Sequence, residues 1–369
     1  PPYDGILVSK AVVDGNGGNG GRYSLAQRQR FWRRGVHDFF RFDANLQTMG
    51  DCGAFSYVRE EVPPLTPDEA IEFYERCGFD FGISVDHVIL GFQSEGRLPG
   101  LADVPAEWPR RQEITLELAN LFIRQCQSHQ VHFLPIGVAQ GWSAESYATA
   151  VGQLQNMGYQ KIALGGMVPL RTGSILRCLE AIEVVRHHGT TLHLLGVTRC
   201  EHLTRFQQFG VVSFDSTSPL RQAFKDDKDN FYTMERTYLA IRVPQVEGNP
   251  KLQARIRSGE LQQEHVRRLE ERCLRGLSEY DHGRLSLDIV LEEVLEYERV
   301  HHPKEDRSRI YREVLNDRPW AACSCAICRK IGIQVILFRG NERNKRRGFH
   351  NLAVFYAQLQ RELGIPMRS

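Results

Sequence analysis

HFLPIGVAQGWSAESYATAVGQLQNMGYQKIALGGM, residues 132–167, decides the fold. Its two ends are short apolar runs that finish on Gln140 and on Gly165 with Gly166, and its middle carries the 3.6-residue apolar period of an amphipathic helix. A strand, a crossover helix and a second strand make parallel neighbours. Working outward, the same grammar recurs. Strand candidates stand at GILVS from 5, LQTMGD from 46, FGISVDHVI from 81, LHLLGVT from 192 and VVSFDS from 211. Helical patterns run between them, such as TPDEAIEFYERCG, where Thr66 is an N-cap, Pro67 fits the first turn and Glu69 completes a capping box. Seven or eight strand–helix units predict an α/β fold, a closed (β/α)8 TIM barrel, with VHDFFRF from 36 as the eighth strand.

The chain of 369 residues is long enough for such a barrel and more. Six of its nine cysteines are scattered singly among apolar residues, the distribution of reduced core thiols, which predicts a cytoplasmic protein without disulfides. No stretch approaches eighteen uninterrupted apolar residues, and PPYDGILVSK lacks the order of a secretory signal. No membrane role is expected. The net charge is only +2, but residues 329–369 hold nine Lys or Arg against two Glu, with Arg343, Lys345, Arg346 and Arg347 nearly adjacent. A second basic run, QRQRFWRRGVHDFFRF at 27–42, interleaves Arg33 and Arg34 with Phe31, Trp32, Phe39 and Phe40. Cations neutralise phosphates and aromatic faces accept unstacked bases, so the two runs point to nucleic acid.

In barrels of this kind the working side chains stand at the C-terminal strand ends. Those ends carry Asp51, Asp86, Gln140, Gly165 with Gly166, Leu195 with Gly196, and Asp215. A lone Asp there ordinarily caps the next helix. Three carboxylates and an amide at equivalent positions predict one site instead. Elsewhere, CSCAICRK at 323–330 brings Cys323, Cys325 and Cys328 within reach of a single ion. A tetrahedral site needs a fourth ligand, for which His350 is the candidate, with His301 and His302 as competitors. A fully ligated zinc is structural, and this one is expected to clamp the last helix, HNLAVFYAQLQREL, and the basic tail. The glycine-rich DGNGGNGGRYS at 14–24 lacks the ending of a phosphate loop and is expected to be a mobile loop over the barrel mouth. The organisation read from these features is a catalytic core at 1–224, a helical insertion at 225–318, and a zinc subdomain with closing helix and basic tail at 319–369. The segment 225–322 counts eighteen basic against twenty acidic residues, so it is no uniform phosphate sleeve.

Taken in order, GDCGAFS, SVDHV, GVAQG, ALGGM, LLGV, FDS and the C-x-C-x-x-C followed by HNLAVFY resemble the tRNA-guanine transglycosylase superfamily, zinc-bearing TIM barrels that swap guanine for a 7-deazaguanine. The resemblance implies that Asp215 is a nucleophile toward the sugar C1′ and that Asp51 moves the proton. It implies that Asp86, Gln140 and the backbone of Gly166 read the base, which Phe55 and Leu195 sandwich. The rebuilt loop FDSTSPLRQAF, with Ser216 where tRNA enzymes have cysteine, the long interval before Cys323 and the want of an RNA-binding domain after the zinc helix resemble the DNA-modifying branch. The implied partners are DNA, with tRNA as the alternative, and a free 7-deazaguanine such as preQ0. Family behaviour adds a homodimer and protein partners of a DNA-modification system, and a non-catalytic nucleic-acid-binding subunit is the remaining reading.

Overall fold

The computed structural model describes residues 2–16, 19–93, 104–225 and 228–365. It divides into two compact units, Tyr3–Ser216 and Thr217–Ser369. Position 17 and position 18 of the glycine-rich stretch and the end of the basic tail, 366–369, lie outside the described residues.

The first unit is built on a seven-stranded parallel sheet whose order follows the chain: β1 (Gly5–Ser9), β2 (Gln47–Asp51), β3 (Phe81–Ile83), β4 (Leu134–Ala139), β5 (Lys161–Leu164), β6 (Thr191–Leu194) and β7 (Val211–Phe214). All seven predicted strands are present. β3 is buried throughout, and β4 to β6 nearly so, as expected of parallel strands covered by helices on one face and by a filled interior on the other. The sheet curls: Leu7 and Ser9 of β1 and Asp215 after β7 line the same cavity. The helices on its outer face include α1 (Leu25–Phe40), α2 (Pro67–Cys77), α3 (Glu107–His129), α4 (Ala144–Asn156) and α5 (Thr172–Val185). The Thr66 cap forms as read, its hydroxyl accepting from the Glu69 N–H and its own N–H donating to Glu69, a motif worth about 1 kcal/mol. Gly50 of β2 and Gly82 of β3 are small so that Tyr74 of α2 can lie across them; a Cβ on Gly50 would come within 2.2 Å of its ring.

Two expectations are corrected here. Residues 36–40, assigned to an eighth strand, are the short helical end of α1 beyond a kink at Gly35, whose φ is 75° and ψ 173°. Of the aromatics interleaved with the basic run, Phe31 is no surface for bases: it is fully buried and stacks on Phe73 at 5.7 Å, while the partly buried Phe39 and Phe40 pack edge-on and the Trp32 indole donates to Asp14. Apolar rings spaced along a helix satisfied the helix–helix core before any partner could use them. Between β6 and β7 the register slips by one residue: Leu192 faces Val211, whereas His193 faces Ser213. Val212 is the extra residue of a bulge, 58% exposed.

The second unit gathers β8 (Phe231–Tyr232), β9 (Thr237–Tyr238), β10 (Ile241–Arg242) and β11 (Leu337–Phe338) with helices α6 (Pro250–Arg257), α7 (Gln263–Asp281), α8 (Leu287–His301), α9 (Ser308–Asp317), α10 (Ala326–Ile331) and α11 (Gly340–Glu362). One apolar core runs from Phe231 through Leu277, Val294 and Tyr311 to Cys328, Ile333 and Leu337. Asp281 of α7 ties the pieces, accepting from the Trp320 indole at 2.7 Å and from the Ile333 N–H at 2.8 Å, and β10 pairs with β11. Residues 225–318 and 319–369 therefore share a core. The closing helix begins at Gly340, so His350 lies in its middle rather than at its start.

Candidate active site and metal cluster

The C-terminal strand ends converge on a cavity of about 560 Å³. It is lined by Asp51, Phe55, Asp86, Gln140, Gly165, Gly166, Leu195, Gly196 and Asp215, the whole set singled out from sequence. Gly15, Gly20 and Arg22 of the glycine-rich stretch border it too.

Asp86 is 3% exposed and both its oxygens are engaged: Oδ1 accepts from the Cys52 thiol at 3.1 Å and Oδ2 from the Gln140 amide at 2.6 Å. The Tyr57 hydroxyl lies within hydrogen-bonding distance of both Cys52 Sγ and the Asp86 carbonyl. Gln140 is oriented by the Ile89 N–H, which donates to its Oε1 at 3.2 Å, so the NH2 end must face Asp86. Burial raises the Asp86 pKa, and the donations from Cys52 and Gln140 oppose the rise. Gly166 has φ +71°, and a Cβ there would meet the Ile89 carbonyl at 2.5 Å, so only glycine lets the backbone reach the cavity at this point.

Asp51 is raised from 3.8 to about 7, first by burial and then by the charges of Asp86 and Asp215, against which the Gly53 N–H and the Ser9 hydroxyl pull it down. A carboxyl group poised near neutrality can hold or release a proton at physiological pH. Asp215 remains 30% exposed, with Oδ1 accepting from the Gly196 N–H at 2.9 Å and lying 3.3 Å from His193 Nε2. A buried acid poised near neutrality thus stands in the same cavity as a more accessible one. Cys52, Tyr57 and His193 escaped the sequence reading. His193 had a signal, since a histidine inside the apolar strand TLHLL, two residues before Leu195, shares the inward face.

In the second unit, Cys323, Cys325, Cys328 and His350 place their ligand atoms within 4.8 Å of one another. The sulfurs lie 3.7, 3.5 and 3.2 Å from His350 Nδ1, near the roughly 3.5 Å edge of a tetrahedron with ordinary zinc–sulfur and zinc–nitrogen bonds. His350 Nε2 is 2.9 Å from the Tyr232 carbonyl, which can only accept. The proton is therefore on Nε2, and the Nδ1 lone pair faces the thiols. Phe231 stacks on the imidazole at 4.0 Å and fixes its plane. This donor set fits a metal ion. His301 and His302, the competing ligands, belong to no such cluster among the described residues; their rings pack on each other, and that of His301 on Tyr297.

The basic residues divide. Arg33, Arg34, Lys345 and Arg346 are exposed, with Lys345 paired to Glu342 at 2.9 Å. Arg343 is partly buried and bonds Gln334. Arg347 is corrected: it is fully buried, donates to the Leu337 and Ala223 carbonyls and to Asn344, and lies over the Phe338 ring. Its guanidinium serves the core, not a phosphate. No helix among the described residues is long and apolar enough to cross a membrane.

A curled parallel α/β sheet with acid-bearing strand ends, accompanied by a three-cysteine, one-histidine cluster, is the arrangement that the resemblance to the guanine transglycosylases implies. No protein-family model matches the chain. Over 208 residues, 54% of the chain and 32% of the relative, it is 26% identical to a tRNA-guanine(15) transglycosylase of Thermococcus onnurineus. The same span is 24% identical to that of Pyrococcus furiosus. Over 368 residues, 99% of this chain and 88% of the relative, it is 50% identical to a DNA-guanine transglycosylase of Salmonella montevideo. The chain belongs to the DNA-guanine transglycosylase family.

Proposed function

We propose that this chain replaces guanine in DNA by a 7-deazaguanine, preQ0 or a relative, through two displacements at one sugar carbon. The observation that carries the reading is that Asp51, Asp86, Gln140 and Asp215 line one cavity.

In the first displacement Asp215 attacks C1′, the C1′–N9 bond breaks, its electron pair goes to guanine, and protonated Asp51 supplies the proton with which the base leaves. In the second, Asp51 takes the N9 proton of the incoming deazaguanine, N9 attacks C1′, and the ester to Asp215 is released. Two inversions retain the anomeric configuration, as in glycosidases that use a carboxylate nucleophile. Asp86 accepts from N1 and the exocyclic amine, which requires the Gln140 amide to turn from Asp86 to the base O6, where the Gly166 N–H joins it. Phe55, which is 58% exposed, and Leu195 close on the ring faces. A base without matching groups leaves Asp86 buried without its partners, and that is costly. The target nucleotide must leave the helix to reach Asp215, at a cost of a few kcal/mol that phosphate contacts from Arg33, Arg34, Lys345 and Arg346 offset. Zinc held by Cys323, Cys325, Cys328 and His350 would contribute folding energy to the second unit.

The test is incorporation of labelled preQ0 by the purified protein into duplex DNA and into tRNA. Label in DNA, abolished by Asp215→Ala, is expected. Label in tRNA alone would move the chain to the tRNA branch, and binding of nucleic acid without incorporation would make it a non-catalytic subunit.

A further inference from the structure

His193 is 3% exposed, and its imidazole bridges Ser213 of the neighbouring strand and Asp215 just beyond its end. Nδ1 is 2.8 Å from Ser213 Oγ and Nε2 is 3.3 Å from Asp215 Oδ1. An ionised carboxylate can only accept, so the Nε2 proton points to Asp215, and in the neutral ring Nδ1 accepts from the Ser213 hydroxyl. The bulge makes this possible. In a strand without Val212 as an extra residue, His193 would face position 212, and Ser213 and Asp215 would turn to the helix-covered side.

Asp215 Oδ1 thus takes two donors, the Gly196 N–H and His193, while no hydrogen bond from a described residue reaches Oδ2. A carboxylate otherwise rotates broadly about its last torsion. Pinning one oxygen fixes the plane of the group and aims the other. We infer that His193, held by Ser213, is a positioning residue that presents Asp215 Oδ2 to the sugar carbon. The inference rests on the proposed role of Asp215 as nucleophile. It differs from a packing role in what it affects: the first displacement slows, while recognition of the free base, which belongs to Asp86 and Gln140, does not change.

The experiment uses the full chain with duplex DNA and no free base, and follows the enzyme–DNA adduct trapped by denaturation, alongside preQ0 exchange kinetics. His193→Ala is expected to form adduct about 10- to 100-fold more slowly, with the KM for preQ0 within about twofold of the parent. His193→Gln, whose amide N–H donates from a similar reach, recovers about tenfold of that loss, and Ser213→Ala falls roughly 3- to 10-fold below the parent. Adduct formation by His193→Ala at the parent rate overturns the inference, as does a folded His193→Gln that is no faster than His193→Ala. In either case the parent adduct leaves the Asp215 reading standing. Base exchange by the parent without any adduct overturns both.

Discussion

Replacing Asp51 by asparagine should make the protein more stable at alkaline pH while abolishing exchange. The free Asp51 carboxyl titrates near 3.8, and in the fold it titrates at about 7. Between those values the folded chain holds a proton that the unfolded chain has lost, so wild-type stability declines as pH rises from about 4 to 7 and stays reduced above. Three pK units correspond to roughly 4 kcal/mol. Water in the open cavity reduces this, leaving about 2–4 kcal/mol. Asparagine keeps the shape and an acceptor for the Gly53 N–H and the Ser9 hydroxyl, but never ionises beside Asp86 and Asp215. The variant and parent should therefore melt together near pH 4 and diverge by roughly 5–15 °C at pH 8. Calorimetry of both proteins from pH 4 to 8.5 measures the gap. A gap independent of pH, or a variant less stable than the parent at pH 8, would refute the electrostatic account of the pocket. Exchange by the variant should fall by about 10²–10⁴-fold, since no group is left to move the proton.

Removal of the Asp86 carboxylate by Asp86→Ala should raise the KM for preQ0 by about 30- to 1000-fold, from the cost of leaving the N1 and amine donors of the base unpaired; steady-state kinetics with an unchanged KM would exclude Asp86 from base recognition. Cys328→Ser should lose stoichiometric zinc by elemental analysis and make residues 217–369 protease-sensitive, because the cysteine belongs to their shared core. Charge reversal at Lys345 and Arg346 should weaken DNA binding equally for all sequences and flatten the salt dependence by about two phosphate contacts. Arg347→Ala should instead destabilise the fold by about 2–4 kcal/mol, read as a lower melting temperature, as the buried Leu337 and Ala223 carbonyls lose their donor.

Much of the site was legible because strand ends are marked twice over, by an apolar run and by the polar residue that stops it. Asp51, Asp86, Gln140 and Asp215 each follow such a run. The cysteine spacing likewise carried its own chemistry, and only the place of His350 within its helix was misread. The failures have one cause. Charge and aromaticity describe a residue's capacity, not its direction, so Arg347 and Phe31 read as ligands of nucleic acid although the fold turned them inward. The segment VHDFFRF was β-rich in composition, yet beyond the kink at Gly35 its first five residues resume the helix, which Arg41 ends in the left-handed conformation. Cys52 and Tyr57 meet Asp86 from the segment after β2, and no periodicity marks such partners.

The slip at Val212 gives the seventh strand two settings, like a zip with one surplus tooth. Taking that tooth out would leave a regular strand with Asp215 on the side it occupies now, whereas pairing the present sequence without the bulge would send the carboxylate to the opposite side of the sheet.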